Sequence, residues 1–188
     1  MSDSTAPYAL SEFVADLRAA AGDGDAETIM ARVAPLAQRL AAQPHWRDDK
    51  YRICDPEQGF GTHLLHEEAD HSLAAFIFSW LPGRGTPPHD HRTWAVVVGI
   101  EGVETNIDWR RLDDGSRPGY AEIIENGKHT LGPGDLVTLT GEKIHTVCND
   151  GDEVTVSLHI YGKHINYTGR TQFDPENNAA LTYVVTVD

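Results

Sequence analysis

His89 and His91 stand two residues apart behind Pro87-Pro88, and a third histidine, His145, follows on a separate apolar stretch. On an extended strand successive side chains alternate between faces, so His89 and His91 point the same way. An imidazole arriving from a distant strand completes a three-nitrogen metal site that contains no carboxylate. Such a site has low ligand charge, and on an octahedral ion it leaves up to three positions open for a chelating substrate with O2 beside it. Zinc also takes three histidines and a water. The triad by itself therefore leaves iron and zinc open.

A second group lies on the run Val154-Thr155-Val156-Ser157-Leu158-His159-Ile160-Tyr161. Period two puts Ser157, His159 and Tyr161 on one face and Leu158 and Ile160 on the other. If the polar face looks inward, it forms a Ser–His–Tyr relay beside the metal. If it looks outward, it meets solvent and the aliphatic residues pack elsewhere. No nucleophile elbow surrounds Ser157. Arg170 follows nine residues after Tyr161, and a guanidinium is the best fork for a carboxylate. The other histidines, His63, His66, His71, His129 and His164, read as surface or satisfied polar residues.

These groups must be positioned by β structure. From about residue 60 the apolar runs are short, β-rich and divided by Gly, Pro, Asn and Asp, which predicts strands near 61–66, 73–81, 93–100, 104–112, 120–125, 135–139, 145–148, 154–161 and 182–187. Turn signals fall at Pro82-Gly83, Asp113-Asp114-Gly115, Asn126-Gly127, Pro133-Gly134-Asp135 and Asn149-Asp150-Gly151. Many short strands mean a sandwich or barrel. Ahead of them, Ser11 is placed to cap a helix carrying Phe13, Val14 and Leu17. A second helix begins near Asp25 with the stripe Ile29, Met30, Val33, Leu36 and Leu40, and Pro35 predicts a kink or a division into two. The helices, about 10–43, are expected to cover one side of the barrel, about 60–188, within a single domain spanning 1–188.

The 188 residues carry a net charge of −14, which disfavours nucleic acid and anionic membranes as partners. An anionic substrate needs a local positive group, and Arg170 supplies one. Two cysteines, Cys54 and Cys148, are too few for a disulfide framework. Met1–Pro7 lacks the basic and apolar regions of a signal peptide, and no apolar run approaches bilayer length, so a cytoplasmic location is expected.

The histidine pattern resembles the cupin superfamily, whose first motif runs G-x5-H-x-H-x3-4-E-x6-G. Gly83, His89, His91 and Gly102 fit it, while the Glu position falls at Ala95 or Val96. The second motif, G-x5-P-x-G-x2-H-x3-N, is matched by Gly127, Pro133, His145 and Asn149, with its middle Gly displaced to Gly134 and a longer stretch before His145. The resemblance covers roughly residues 60 to 165 and implies a mainly β fold, a double-stranded β-helix or jelly-roll barrel with the N-terminal helices packed against it.

Three-histidine cupins with a Ser-x-His-x-Tyr strand look like thiol dioxygenases of the cysteine dioxygenase family. Arg170, nine positions after the Tyr, is similar to the bacterial 3-mercaptopropionate dioxygenase branch, as is the run from His89 to Val96. Cysteine dioxygenases place the carboxylate-binding Arg on an early strand, and Gly61–His66 contains none. Animal members crosslink the Tyr to a Cys shortly after the HxH pair. Residues 92–100 have no Cys, which implies a free Tyr161. The branch often has Gln or Arg where this chain has Thr62 to His66, which implies a different substrate preference, with His63 and His66 themselves still read as surface or satisfied polar residues.

The resemblance thus implies Fe(2+) on His89, His91 and His145. Arg170 and Tyr161 bind the substrate, with His159 and Ser157 behind the Tyr. The expected reaction takes a small carboxylated thiol and O2 to the sulfinate in a monomer or homo-oligomer. Cysteine and mercaptosuccinate remain alternative substrates. A zinc or manganese isomerase or hydrolase, and a non-catalytic ligand-binding cupin, remain readings of another class.

Overall fold

A computed structural model describes residues 7–187; Met1–Ala6, where a leader was sought, and Asp188 lie outside the described residues. Two helices, α1 (Leu10–Ala20) and α2 (Ala26–Ala41), precede ten strands: β1 (Phe60–Glu67), β2 (Ser72–Trp80), β3 (Ala95–Glu101), β4 (Glu104–Arg111), β5 (Ile123–Leu131), β6 (Leu136–Leu139), β7 (Ile144–Cys148), β8 (Thr155–Lys163), β9 (Thr171–Asp174) and β10 (Ala179–Thr182). The fold is mainly β, the expected double-stranded β-helix with both helices at its N-terminal end.

One sheet has the order β1-β2-β8-β3-β6, all antiparallel. Its two faces have opposite uses. Ile77 on β2, Val96 and Val98 on β3, and Leu158 and Ile160 on β8 pack beneath the helices with Phe13, Leu17, Val33 and Leu40. The alternate residues Phe76, Phe78, Trp80, Ala95 and Tyr161 face a second core with Phe60, Val147 and Tyr183. Period two on β8 therefore sends its aliphatic residues to the helices and its polar residues inward. The outward alternative for that face does not occur.

The second sheet has the order β5-β4-β7, with β9 and β10 forming a hairpin beside it. The join is the segment carrying the histidine pair. The backbone of His89 bridges His145 on β7 at one edge and Gln172 on β9 at the other.

Four local expectations are corrected. α1 starts one residue before Ser11, and Glu12 reaches back to accept the Ala9 backbone N–H at 2.9 Å. Asp25 does cap α2, accepting from the Thr28 N–H at 2.8 Å, but Pro35 neither divides nor ends the helix. The buried stripe of α2, running from Ile29 to Ala41, outweighs one lost backbone bond. Asn126-Gly127 is not a turn but lies inside β5. Asp108 pairs with Gly127 and Trp109 with Glu125, so Asn126 is the extra residue of a bulge. The strand expected over 182–187 is not formed. After β10 the chain is held by Tyr183 N–H donating to Arg170 O, and by Asn166, which donates to Val185 O and accepts from Val185 N.

Candidate metal centre

His89 and His145 exchange both backbone hydrogen bonds, at 2.9 and 3.0 Å. Residues paired in this way sit directly opposite with side chains on one face, and His91, two residues on, shares it. The three rings converge: His91 Nε2 lies 3.2 Å from His89 Nε2 and 3.4 Å from His145 Nε2. His89 Nδ1 faces the Pro87 carbonyl at 3.0 Å, and His145 Nδ1 faces Asn106 Oδ1 at 3.2 Å. Both oxygens only accept, so these two imidazoles carry their proton on Nδ1 and turn a lone pair inward on Nε2.

Burial holds all three rings neutral. It drives His89 and His91 well below the ordinary histidine value and His145 down to about 3. The Nε2 lone pairs of His89 and His145 converge on His91 Nε2, and His91 Nδ1 has no partner among the described residues, so the three ring nitrogens are arranged as one cation could bridge them. Two ring nitrogens bound to one first-row divalent ion at about 2.0–2.1 Å are themselves about 3.0–3.4 Å apart, so the spacing fits. The cluster could hold a metal ion. The carboxylate position of the motif is aliphatic, with Ala95 and Val96 both fully buried.

Along the inner face of β8, Ser157 Oγ meets His159 Nε2 at 2.9 Å and His159 Nδ1 meets the Tyr161 hydroxyl at 2.9 Å. Burial brings His159 down to about 3 and pushes the Tyr161 phenol up, while the Arg170 charge opposes the latter shift. Both groups are therefore neutral across the physiological range. The Tyr161 ring stands edge-on to His91 with centroids 5.2 Å apart.

Arg170 is 3% exposed, and its Nε and Nη2 have no hydrogen-bond partner among the described residues. Its guanidinium carbon lies 4.2 Å above the Tyr183 ring, and burial lowers its pKa. A desolvated cation with free donors lacks an anion. Arg170, Tyr161, His159 and all three candidate ligands line one small cavity.

Two residues at this site, the cavity-lining Tyr183 and Asn106 behind His145, carry no signal in the sequence. Tyr183 lies against both Arg170 and His89, but it sits on the non-strand segment after β10, where no spacing rule points to it. Asn106 fixes the His145 tautomer, and only the β4–β7 register places it there. The structure does not bring His63 or His66 to the cavity. His63 packs edge-on to Tyr51, and His66 pairs with Glu68 at 2.9 Å. Trp80 is a cavity wall, whereas Trp94 packs on the helix side.

No protein-family model matches this chain. Its solved structural neighbours are cupin and double-stranded β-helix proteins. One is an uncharacterized conserved protein with a double-stranded beta-helix domain from Klebsiella pneumoniae, at 15% identity over 67% of this chain and 93% of that one, with a TM-score of 0.46. A cupin superfamily protein from Desulfitobacterium hafniense is similar at 16% identity over 59% of this chain and 84% of that one, with a TM-score of 0.42. Oxalate oxidase in complex with glycolate is similar at 16% identity over 58% of this chain and 53% of that one, with a TM-score of 0.45.

Proposed function

We propose that this chain is a non-haem Fe(II) thiol dioxygenase that converts a small carboxylated thiol, most simply 3-mercaptopropionate, to its sulfinate. The observation that carries the reading is one small cavity holding three converging imidazole nitrogens, an unpaired buried guanidinium and the phenolic end of a Ser–His–Tyr chain. The ligand that fits has a carboxylate for Arg170 and a metal-binding group a few atoms away. Fe(II) on His89, His91 and His145 would acidify the thiol and bring O2 to the same place. In the overall reaction RSH and O2 give RSO2H, so both oxygen atoms end on sulfur.

In this reading Arg170 binds and orients the carboxylate through its free Nε–H and Nη2–H. The Tyr161 hydroxyl holds a proton toward the carboxylate or the reacting oxygen. His159 fixes the phenol, and Ser157 fixes the His159 tautomer. Trp80, Phe78 and Val185 exclude water. Cysteine and mercaptosuccinate are the alternative substrates. The helices and barrel act as one cytoplasmic domain on small molecules, without nucleic acid or membrane.

The test is anaerobic reconstitution with Fe(II), followed by O2 uptake and sulfinate detection across a panel of thiols. Uptake is expected with carboxylated thiols and not with their neutral analogues. Absence of uptake with every thiol overturns the proposal. Activity that requires Zn(II) and no O2 replaces it with a hydrolase or isomerase.

A further inference from the structure

The last pair of the β9–β10 hairpin is Thr171 with Thr182. One step beyond it, Tyr183 N–H donates to Arg170 O at 2.9 Å, so Tyr183 stands opposite Arg170. Residues opposite each other in an antiparallel pair turn their side chains to the same face. Thr171 turns the other way, toward Arg92, whose Nη2 donates to its Oγ1 at 3.2 Å. Arg170 and Tyr183 both line the cavity, as does Val185 two residues on. The alternation runs buried Tyr183, exposed Val184, buried Val185.

The Tyr183 ring has two neighbours there. The Arg170 guanidinium carbon lies 4.2 Å from its centroid, and the His89 ring stands 5.3 Å away at 62°. One aromatic ring thus touches both the cation and a candidate metal ligand. The Arg170 donors without a partner among the described residues are Nε and Nη2. These share one edge of the guanidinium plane and form the fork that takes both oxygens of a carboxylate. With one face of the guanidinium covered by the ring, that edge is what an anion meets. The attraction of the cation to the ring also resists rotation of the plane.

We propose that Tyr183 is the specificity-determining residue of this cavity. Its ring fixes the Arg170 fork and fills the space between the guanidinium and His89, so the anion is held one ring's width from the metal nitrogens. A short unbranched acid such as 3-mercaptopropionate reaches both ends. A longer acid such as 4-mercaptobutyrate must displace the ring. The thiol as metal-binding group rests on the dioxygenase reading, but the length limit set by Tyr183 does not.

The test is calorimetric binding of 3-mercaptopropionate and 4-mercaptobutyrate to the full chain loaded with Zn(II), without O2, in wild type, Tyr183→Phe and Tyr183→Ala. Wild type should prefer the shorter acid by about tenfold or more, the scale set by one methylene in a closed pocket. Tyr183→Phe keeps the ring and should keep the preference. Tyr183→Ala should bind the shorter acid about tenfold more weakly and the longer one no worse, so that the preference disappears. If Tyr183→Ala does not fold, Tyr183→Leu takes its place, since it keeps apolar bulk but offers the guanidinium no aromatic face. Wild type that binds both acids alike, or neither, overturns the proposal. So does an unaltered preference in the variant without the ring, or its loss in Tyr183→Phe. In the Fe(II) protein the same change should appear in KM for the shorter acid rather than in kcat. If no thiol is oxidised while the Zn(II) protein still selects by length through Tyr183, the dioxygenase reading fails and the Tyr183 proposal stands.

Discussion

The Asp90 carboxylate accepts the backbone N–H of Thr171 at 2.7 Å, and the two backbones are joined again where Asp90 N–H donates to Thr171 O at 3.0 Å. Asp90 lies between the candidate ligands His89 and His91, and Thr171 follows Arg170. One buried carboxylate therefore ties the metal segment to the residue beside the anion clamp. Arg92 closes the group by donating Nε–H to Asp90 Oδ2 at 2.9 Å.

Asp90→Ala should accordingly disturb both halves of the cavity. Loss of a charged hydrogen-bond acceptor costs about 1.5–3 kcal/mol of stability, and the KM for a carboxylated thiol should rise several-fold as Arg170 loses its register. Urea denaturation and steady-state kinetics measure the two effects. An unchanged KM would mean that Arg170 is held in place without Asp90.

Arg170→Met separates binding from folding. A buried cation without a partner destabilises the free protein, so its removal should leave the melting temperature unchanged or higher. Metal content should stay at the wild-type level. KM for the carboxylated thiol should rise by about 10- to 100-fold, the value of one charge-assisted pair. Equal KM in mutant and wild type removes Arg170 from the site.

Burial depresses His145 and His159 to about 3. The unfolded chain takes up protons at these histidines below about pH 6.5, while the folded one does not until near pH 3. The sign is that of a lowered pKa. Stability is complete above about pH 6.5 and falls as the pH drops, by at most about 1.4 kcal/mol per pH unit for each histidine. Urea midpoints of the metal-free protein between about pH 7.5 and pH 5 test this. A flat profile would place these rings in water.

Pro35 sits exposed inside a continuous α2. Pro35→Ala restores a backbone hydrogen bond without altering the buried stripe and should stabilise the protein by about 1–3 kcal/mol, with O2 uptake unchanged. A loss of stability would mean that the ring packs against something the helix needs.

The parts of the site legible in sequence were those governed by strand periodicity. His89 and His91 share a face because they are two apart. Ser157, His159 and Tyr161 share one for the same reason, and their aliphatic neighbours Leu158 and Ile160 identify the opposite face once helices are present to cover it. Residues brought in by register or by irregular backbone were not legible. Asn106 meets His145 only through the β4–β7 pairing. Tyr183 lies on a segment held by Asn166 rather than by a sheet. Asn126-Gly127 carries a turn composition, yet the flanking residues pair with β4, and the local signal is spent on a bulge.

The backbone of His89 is the join between β7 and the β9–β10 hairpin, and the hairpin in turn carries the chain away from Arg170. An ion on the histidines and an anion on the guanidinium would therefore both resist opening of the same seam. Thermodynamic reciprocity then requires each to tighten the other's binding. Slowed amide exchange at His89 and at Phe173, whose N–H donates to Pro88 O at 2.8 Å across that seam, produced by either occupant alone, would be the physical sign of that cooperativity.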